Sequence, residues 1–254
     1  RSFDKAIGIR EEYDDAWYEK GRRQAHLELL EQAIASFQKA AKINSFHHQT
    51  YNEMGLAYLR LNRLTEALGA FDRAIGIKGD DPKPWSNKGQ ALLAMSKFQE
   101  AVSCFDQAIS LKPDTPEAWN GKGLALAGLG RFAEAIPAYG KAIDLRPEDR
   151  DTWNNLGETL SSLEKYSDSL SCFEKSINID KRFERAWYNR GVSLAKLSRD
   201  NEAVSVFEEA LAINPKGERS WNGKGAALHR LAKDEPALEC FDQALALKAD
   251  YIEA

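Results

Sequence analysis

Residues 116–149 read PEAWNGKGLALAGLGRFAEAIPAYGKAIDLRPED, and the spacing within them recurs along the chain. Trp119 is followed four residues later by Gly123, and Tyr139 is followed three residues later by Ala142. Spacings of three and four place residues on one face of an α-helix. The stretch therefore predicts two helices joined by a short turn.

The same pattern returns every 34 residues. The aromatic positions are Trp17, Tyr51, Trp85, Trp119, Trp153, Trp187 and Trp221. The glycines four residues later are Gly21, Gly55, Gly89, Gly123, Gly157, Gly191 and Gly225. The second-helix rings are Phe37, Phe71, Phe105, Tyr139, Phe173, Phe207 and Phe241. Glycine disfavours a helix interior by about 1 kcal/mol relative to alanine, so seven in register indicate close helix packing.

The period divides the chain into seven repeats without an insertion. They are residues 14–47, 48–81, 82–115, 116–149, 150–183, 184–217 and 218–251. Residues 1–13 match the second helix of a preceding repeat, and residues 252–254 match the start of a further one. We expect the chain to be a piece of a longer array, with a frayed natural terminus as the alternative.

This 34-residue pattern resembles the tetratricopeptide repeat, and the resemblance covers essentially the whole chain. It implies an all-α fold, a right-handed superhelical α-solenoid of antiparallel helix pairs. It also implies a concave groove lined by the first helix of each repeat. Only three repeats keep the closing proline of the pattern, at Pro113, Pro147 and Pro215.

Composition excludes several classes of function. The 254 residues are 43% hydrophobic and 29% charged, with a formal net charge of −4, which does not favour binding to nucleic acid. No apolar stretch reaches the roughly 18 residues needed to span a membrane, and no secretory leader is visible. Three cysteines do not make a disulfide framework. We therefore expect a cytoplasmic protein that does not act on membranes.

Six consecutive repeats place asparagine just after the aromatic, on the face expected to line the groove. These residues are Asn52, Asn87, Asn120, Asn154 with Asn155, Asn189 and Asn222. An asparagine amide can donate to and accept from a peptide backbone at once. In some peptide-binding members of the family such a ladder holds an extended peptide. The alternative is that these amides are solvated or bonded within the protein.

The last two repeats carry an excess of positive charge on the same face. The cations are Arg185, Lys196, Arg219 and Arg230. We expect an acidic end of a peptide ligand to meet repeats six and seven, with charge placed for solubility as the alternative.

No catalytic or metal-binding motif is present, so we expect no enzymatic activity, no cofactor and no metal. Cys104, Cys172 and Cys240 share one register position and are expected to be structural. The predicted function is a protein-interaction scaffold that binds an extended peptide or partner segment in the groove. Self-assembly through stacked ends, or a role as the docking arm of a longer multidomain protein, are the alternatives.

Overall fold

The computed structural model describes residues 13–252, with side chains up to Leu247. This part of the chain forms fourteen α-helices and contains no β-strand. The helices are Asp14–His26 (α1), Leu30–Ile43 (α2), His48–Arg60 (α3), Leu64–Ile77 (α4), Pro82–Ala94 (α5), Phe98–Leu111 (α6), Pro116–Gly128 (α7), Phe132–Leu145 (α8), Arg150–Ser162 (α9), Tyr166–Ile179 (α10), Glu184–Lys196 (α11), Asp200–Ile213 (α12), Glu218–Arg230 (α13) and Asp234–Ile252 (α14). The predicted all-α class is confirmed.

The first helix of each repeat begins at residues 14, 48, 82, 116, 150, 184 and 218, a constant interval of 34. The predicted partial repeats at residues 1–13 and 252–254 lie outside the described residues, apart from Tyr13 and the backbone of Ile252. The last helix, α14, spans 19 residues, whereas the preceding second helices span 14. It continues through residues 247–249. Residue 249 is an alanine at the register position where three earlier repeats carry the closing proline, which would end a helix.

The chain divides into two compact halves, up to Arg131 and from Phe132 onward. Within the N-terminal half, α1 packs on α2, α3 on α4 and α5 on α6. Each second helix also packs on the first helix of the next repeat, as α6 does on α7. The C-terminal half repeats this arrangement from α8 to α14. Each half is therefore built from nearest-neighbour contacts, as expected for stacked helix pairs.

The second-helix rings form the centre of each repeat. Phe37, Phe71, Phe105 and Phe207 are fully buried. A Cβ added to Gly89 would lie 2.8 Å from the ring of Phe105. The register glycines are therefore required because an aromatic ring packs directly on the backbone of the first helix.

The tryptophans close the turn between repeats. The indole Nε1 of Trp153 donates a hydrogen bond of 2.8 Å to the carbonyl oxygen of Pro147, six residues earlier. Equivalent bonds of 2.8–3.0 Å join Trp85 to Gly79, Trp119 to Pro113, Trp187 to Lys181 and Trp221 to Pro215. This bond accepts any residue at the carbonyl position, so it forms with or without the closing proline.

The turn inside each repeat uses one left-handed residue. Asn62 has a φ of 57°, and its backbone N–H bonds the carbonyl of Leu59 while that of Arg63 bonds the carbonyl of Tyr58. This pair of bonds is the Schellman motif, which satisfies the last carbonyls of a helix. The left-handed position is held by Glu28, Asn62, Ser96, Gly130, Glu164, Ser198 and Ala232. The sharp turn therefore forms with seven different local sequences, six of them without glycine.

Candidate interaction face

The face predicted to bind a partner is formed by the first helices. In the N-terminal half these are α1, α3, α5 and α7, and each contacts the next. In the C-terminal half they are α9, α11 and α13, which also contact one another. We call the surface that each set presents at repeat positions 2, 5, 6, 9, 12 and 13 the first-helix face, position 1 being the first residue of each repeat.

Two pairs of the predicted asparagines bond each other across neighbouring helices. Nδ2 of Asn87 donates to Oδ1 of Asn52 at 2.9 Å, and Nδ2 of Asn189 donates to Oδ1 of Asn154 at 3.0 Å. Asn52 is 7% exposed and Asn154 is fully buried. Each pair therefore links two adjacent repeats, in agreement with the alternative of bonding within the protein.

The sequence contains a signal for this pairing. Both bonded pairs are 35 residues apart rather than 34, because the donor lies one position later in its repeat than the acceptor. The slip between two adjacent positions marks a donor column and an acceptor column. A single ladder of equivalent asparagines would keep the 34-residue period.

The other predicted asparagines differ in accessibility. Asn155 is 5% exposed and Asn120 is half-buried, and both already have interaction partners. Asn222 on α13 is exposed. A ladder in which all seven amides contact a peptide stays a prediction.

The four predicted cations are placed on α11 and α13, and two of them are paired within the protein. Arg185 holds the carboxylate of Glu158 with two hydrogen bonds, of 3.0 Å from Nε and 2.6 Å from Nη2. Arg230 holds Asp200 on α12 at 2.7 Å. Lys196 and Arg219 are exposed and make no ion pair with any residue that the structure describes. The accessible positive charge is thus concentrated on Lys196 and Arg219.

The N-terminal half contains polar residues on this face that the sequence did not single out. Tyr18, Arg22 and Glu53 line a pocket of about 520 Å³ that also involves Asn52 and Lys83. Arg22 and Glu53 also line a second pocket, which does not include Tyr18. Burial raises the pKa of the Glu53 carboxyl, while nearby Arg22 opposes that change. Arg22 is itself bonded to Glu19 at 2.9 Å. This surface combines acidic and basic groups without a dominant sign.

The cysteines and histidines show no reactive arrangement within the described residues. Cys104, Cys172 and Cys240 are free and buried, and burial raises the pKa of each thiol. One group that could hold a metal ion consists of Asp14, Asp15 and His47, whose ligand atoms lie within 4.8 Å of one another. In that group His47 Nδ1 lies 2.8 Å from Thr50 Oγ1, and exposed acidic groups of this kind are common without a metal.

None of the helices in the described part of the chain is both long and apolar enough to cross a bilayer.

Several solved structures are similar to this chain, and two of those that follow are described as tetratricopeptide repeat proteins. One is YrrB, described as a TPR protein with an unusual peptide-binding site, with 23% identity, a TM-score of 0.60, and coverage of 73% of this chain and 96% of that one. A tetratricopeptide repeat protein from Parabacteroides merdae has 16% identity, a TM-score of 0.73, and coverage of 92% and 93%. The Cut9–Hcn1 hetero-tetramer of the APC/C has 15% identity, a TM-score of 0.77, and coverage of 89% and 45%. These likenesses confirm the solenoid class of fold.

Sequence comparison identifies the family. Among curated proteins none matches this chain. Sequence profiles of the tetratricopeptide repeat match residues 18–82, 86–150 and 121–180, and related profiles match residues 184–216 and 218–251. These matches cover the helix pairs and the register of glycines and rings described above. The chain therefore belongs to the tetratricopeptide repeat family.

Proposed function

We propose that this protein is a non-catalytic scaffold that binds an extended, acidic segment of a partner protein on the first-helix face of α11 and α13. Family membership supports a protein-interaction role in general terms. YrrB, a structural neighbour, is described as having a peptide-binding site. Residence in the cytoplasm and a place within a longer multidomain protein stay predictions from the sequence.

The observation that carries the proposal is the presence on these two helices of exposed polar groups that are not paired within the protein. Lys196, Arg219 and Asn222 are exposed, and the two cations have no ion-pair partner within the described chain. The other two cations predicted on this face are paired, Arg185 with Glu158 and Arg230 with Asp200. Exposed charge of one sign attracts and orients a partner of the opposite sign.

The test is capture of partners on the immobilised chain, followed by mapping of the bound segment. A variant with Lys196→Glu and Arg219→Glu is compared with a control variant with Lys165→Glu and Lys175→Glu. Both control residues are exposed; Lys165 directly precedes α10 and Lys175 lies within it. We expect the first variant to weaken binding of the mapped segment about tenfold and the control to stay within about twofold. Equal binding by both variants would exclude this face as the site.

Self-assembly is a second candidate, favoured by the apolar face of α14. Leu238 and Leu245 are 62% and 64% exposed, and the ring of Phe241 is half-buried although its equivalents are buried. A second copy that covered this face would remove contiguous apolar surface from water. Light scattering over a range of concentrations should then show mass increasing with concentration, and Leu245→Glu should abolish the increase. A constant monomer mass would rule this function out.

A further inference from the structure

The carboxylate of Glu158 is bound at the first-helix face of the C-terminal half as a ligand carboxylate would be. Its Oε1 accepts hydrogen bonds from Arg185 Nε at 3.0 Å and from Asn189 Nδ2 at 2.6 Å. Its Oε2 accepts from Arg185 Nη2 at 2.6 Å. A guanidinium that donates two hydrogen bonds to one carboxylate is a common arrangement for recognising carboxylates, and the amide of Asn189 adds a third donor here.

The joint between α3 and α5 has the same amide framework but no acid at the position of Glu158; its nearby acid, Glu53, accepts a hydrogen bond of 3.5 Å from Asn52 Nδ2. Asn52 and Asn87 take the register positions of Asn154 and Asn189 and form the same amide bond, 2.9 Å long. Lys83 stands at the position of Arg185, and Leu56 at the position of Glu158. The amide pair therefore forms without a carboxylate at this position, so departure of Glu158 need not break the link between repeats.

The pair lies at the surface, where it can exchange. The side chains of Arg185 and Glu158 are 50% and 37% exposed. Ion pairs with this much access to water contribute little to stability because solvent screens them. Release of Glu158 would also leave Arg185 and Arg219 unpaired at the same register position on neighbouring helices.

We propose that Arg185 and Asn189 form a subsite for a carboxylate of the partner and that Glu158 occupies it in the free protein as an internal competitor. An Asp or Glu side chain of the partner takes the place of Glu158 on binding. The inference rests on the proposed function, because it identifies one contact of the same face. It also adds that the free protein is partly self-inhibited.

The probe is a fluorescent, N-acetylated and C-amidated peptide of six glutamates, with the six-glutamine peptide as its uncharged counterpart. Affinity is measured by fluorescence anisotropy at low salt for the unaltered chain and for Glu158→Leu, the residue that the chain itself carries at Leu56. We expect Glu158→Leu to bind the glutamate peptide about fivefold more tightly, as removal of a competing surface pair predicts. The glutamine peptide should show no gain.

Two further variants test whether the gain in affinity comes from freeing Arg185 or only from the loss of one negative charge. Glu202→Gln removes one negative charge from α12, where Glu202 forms an exposed ion pair with Arg199. Its affinity for the glutamate peptide should stay within about twofold of that of the unaltered chain. Adding Arg185→Gln to Glu158→Leu should remove the whole gain. Should Glu158→Leu not fold, as judged by circular dichroism, Glu158→Gln provides the same comparison with less change of shape.

The proposal is overturned if the two Glu158 variants gain no more affinity for the glutamate peptide than Glu202→Gln does. It is also overturned if the gain in affinity persists when Arg185→Gln is added. Absence of binding in every variant overturns it as well. If the charge reversals at Lys196 and Arg219 still weaken a mapped partner, the proposed function stands while the competitor role of Glu158 falls. If those charge reversals do not weaken binding either, the proposed function and the competitor role of Glu158 are both wrong.

Discussion

The ring of Phe207 packs directly on the backbone of Gly223, where an added Cβ would lie 2.6 Å from Cζ of the ring. The same ring also packs on Gly191, where an added Cβ would lie 2.7 Å from Cε1. Gly191 belongs to the same repeat as Phe207, and Gly223 belongs to the next. One buried side chain therefore holds two repeats together through two glycines.

Gly223→Ala should lower the free energy of unfolding by about 1–2 kcal/mol. Overpacking a buried ring costs about 1–3 kcal/mol, and the better helix propensity of alanine returns up to about 1 kcal/mol. The measurement is urea denaturation followed by circular dichroism. Gly140→Ala in α8 is the control, because nothing lies within 4 Å of its added Cβ, and it should raise stability by up to about 1 kcal/mol. Equal effects at the two sites would contradict the packing role of Gly223.

Trp153→Phe should lower the free energy of unfolding by about 1 kcal/mol beyond the loss expected from the smaller ring. The substitution removes the donor of the 2.8 Å bond to the carbonyl of Pro147 and leaves that acceptor without its indole partner. The control is Tyr166→Phe in α10, which removes a hydroxyl from a half-buried ring on the second helix of the same repeat. If both variants unfold at the same urea concentration, the bond contributes nothing.

Ala232→Gly should stabilise the protein by about 0.5–1 kcal/mol. Ala232 has a φ of 56°, a left-handed conformation that glycine adopts without the steric cost of a Cβ. Gly130 has a φ of 72° at the equivalent turn position of the fourth repeat. The reverse change, Gly130→Ala, should therefore destabilise the protein by a similar amount. Thermal unfolding of the two variants tests both signs, and shifts in the same direction would contradict the explanation.

Cys172 should be almost unreactive toward Ellman's reagent in the folded protein at pH 8. Burial raises the pKa of its thiol from 9.0 to about 11, with a smaller contribution from Asp168, so its thiolate fraction is about a hundredfold lower than that of an ordinary thiol. Because the folded pKa is the higher one, this thiol favours folding below pH 9, and the contribution is lost as the pH rises from 9 toward 11. Single-cysteine variants that retain Cys172 should react rapidly only in urea. Fast reaction of the folded protein would show that the site opens readily.

The candidate face was predictable in position but not in its internal bonding. Asn52 and Asn154 were placed by register on the expected face, yet their amides accept hydrogen bonds from the next repeat. Arg185 was predicted to meet an acidic end of a ligand, and it is held by Glu158, 27 residues earlier in the chain. Register assigns each residue to a face of its own helix, whereas these bonds depend on which rotamers meet between two helices.

The repeat length, the number of repeats and the helix pairs all follow from the 34-residue spacing of Trp, Gly and ring residues in the sequence. This is possible because helix periodicity and packing between neighbouring repeats each depend on the sequence of only one or two repeats. Which polar groups remain available to a partner depends instead on contacts between neighbouring helices. Glu158 and Asn154 satisfy groups on neighbouring helices, whereas Lys196 and Arg219 find no ionic partner in the described chain. The physical reason is that pairing of surface groups depends on distances of a few ångströms between helices, which the periodicity of one helix does not specify.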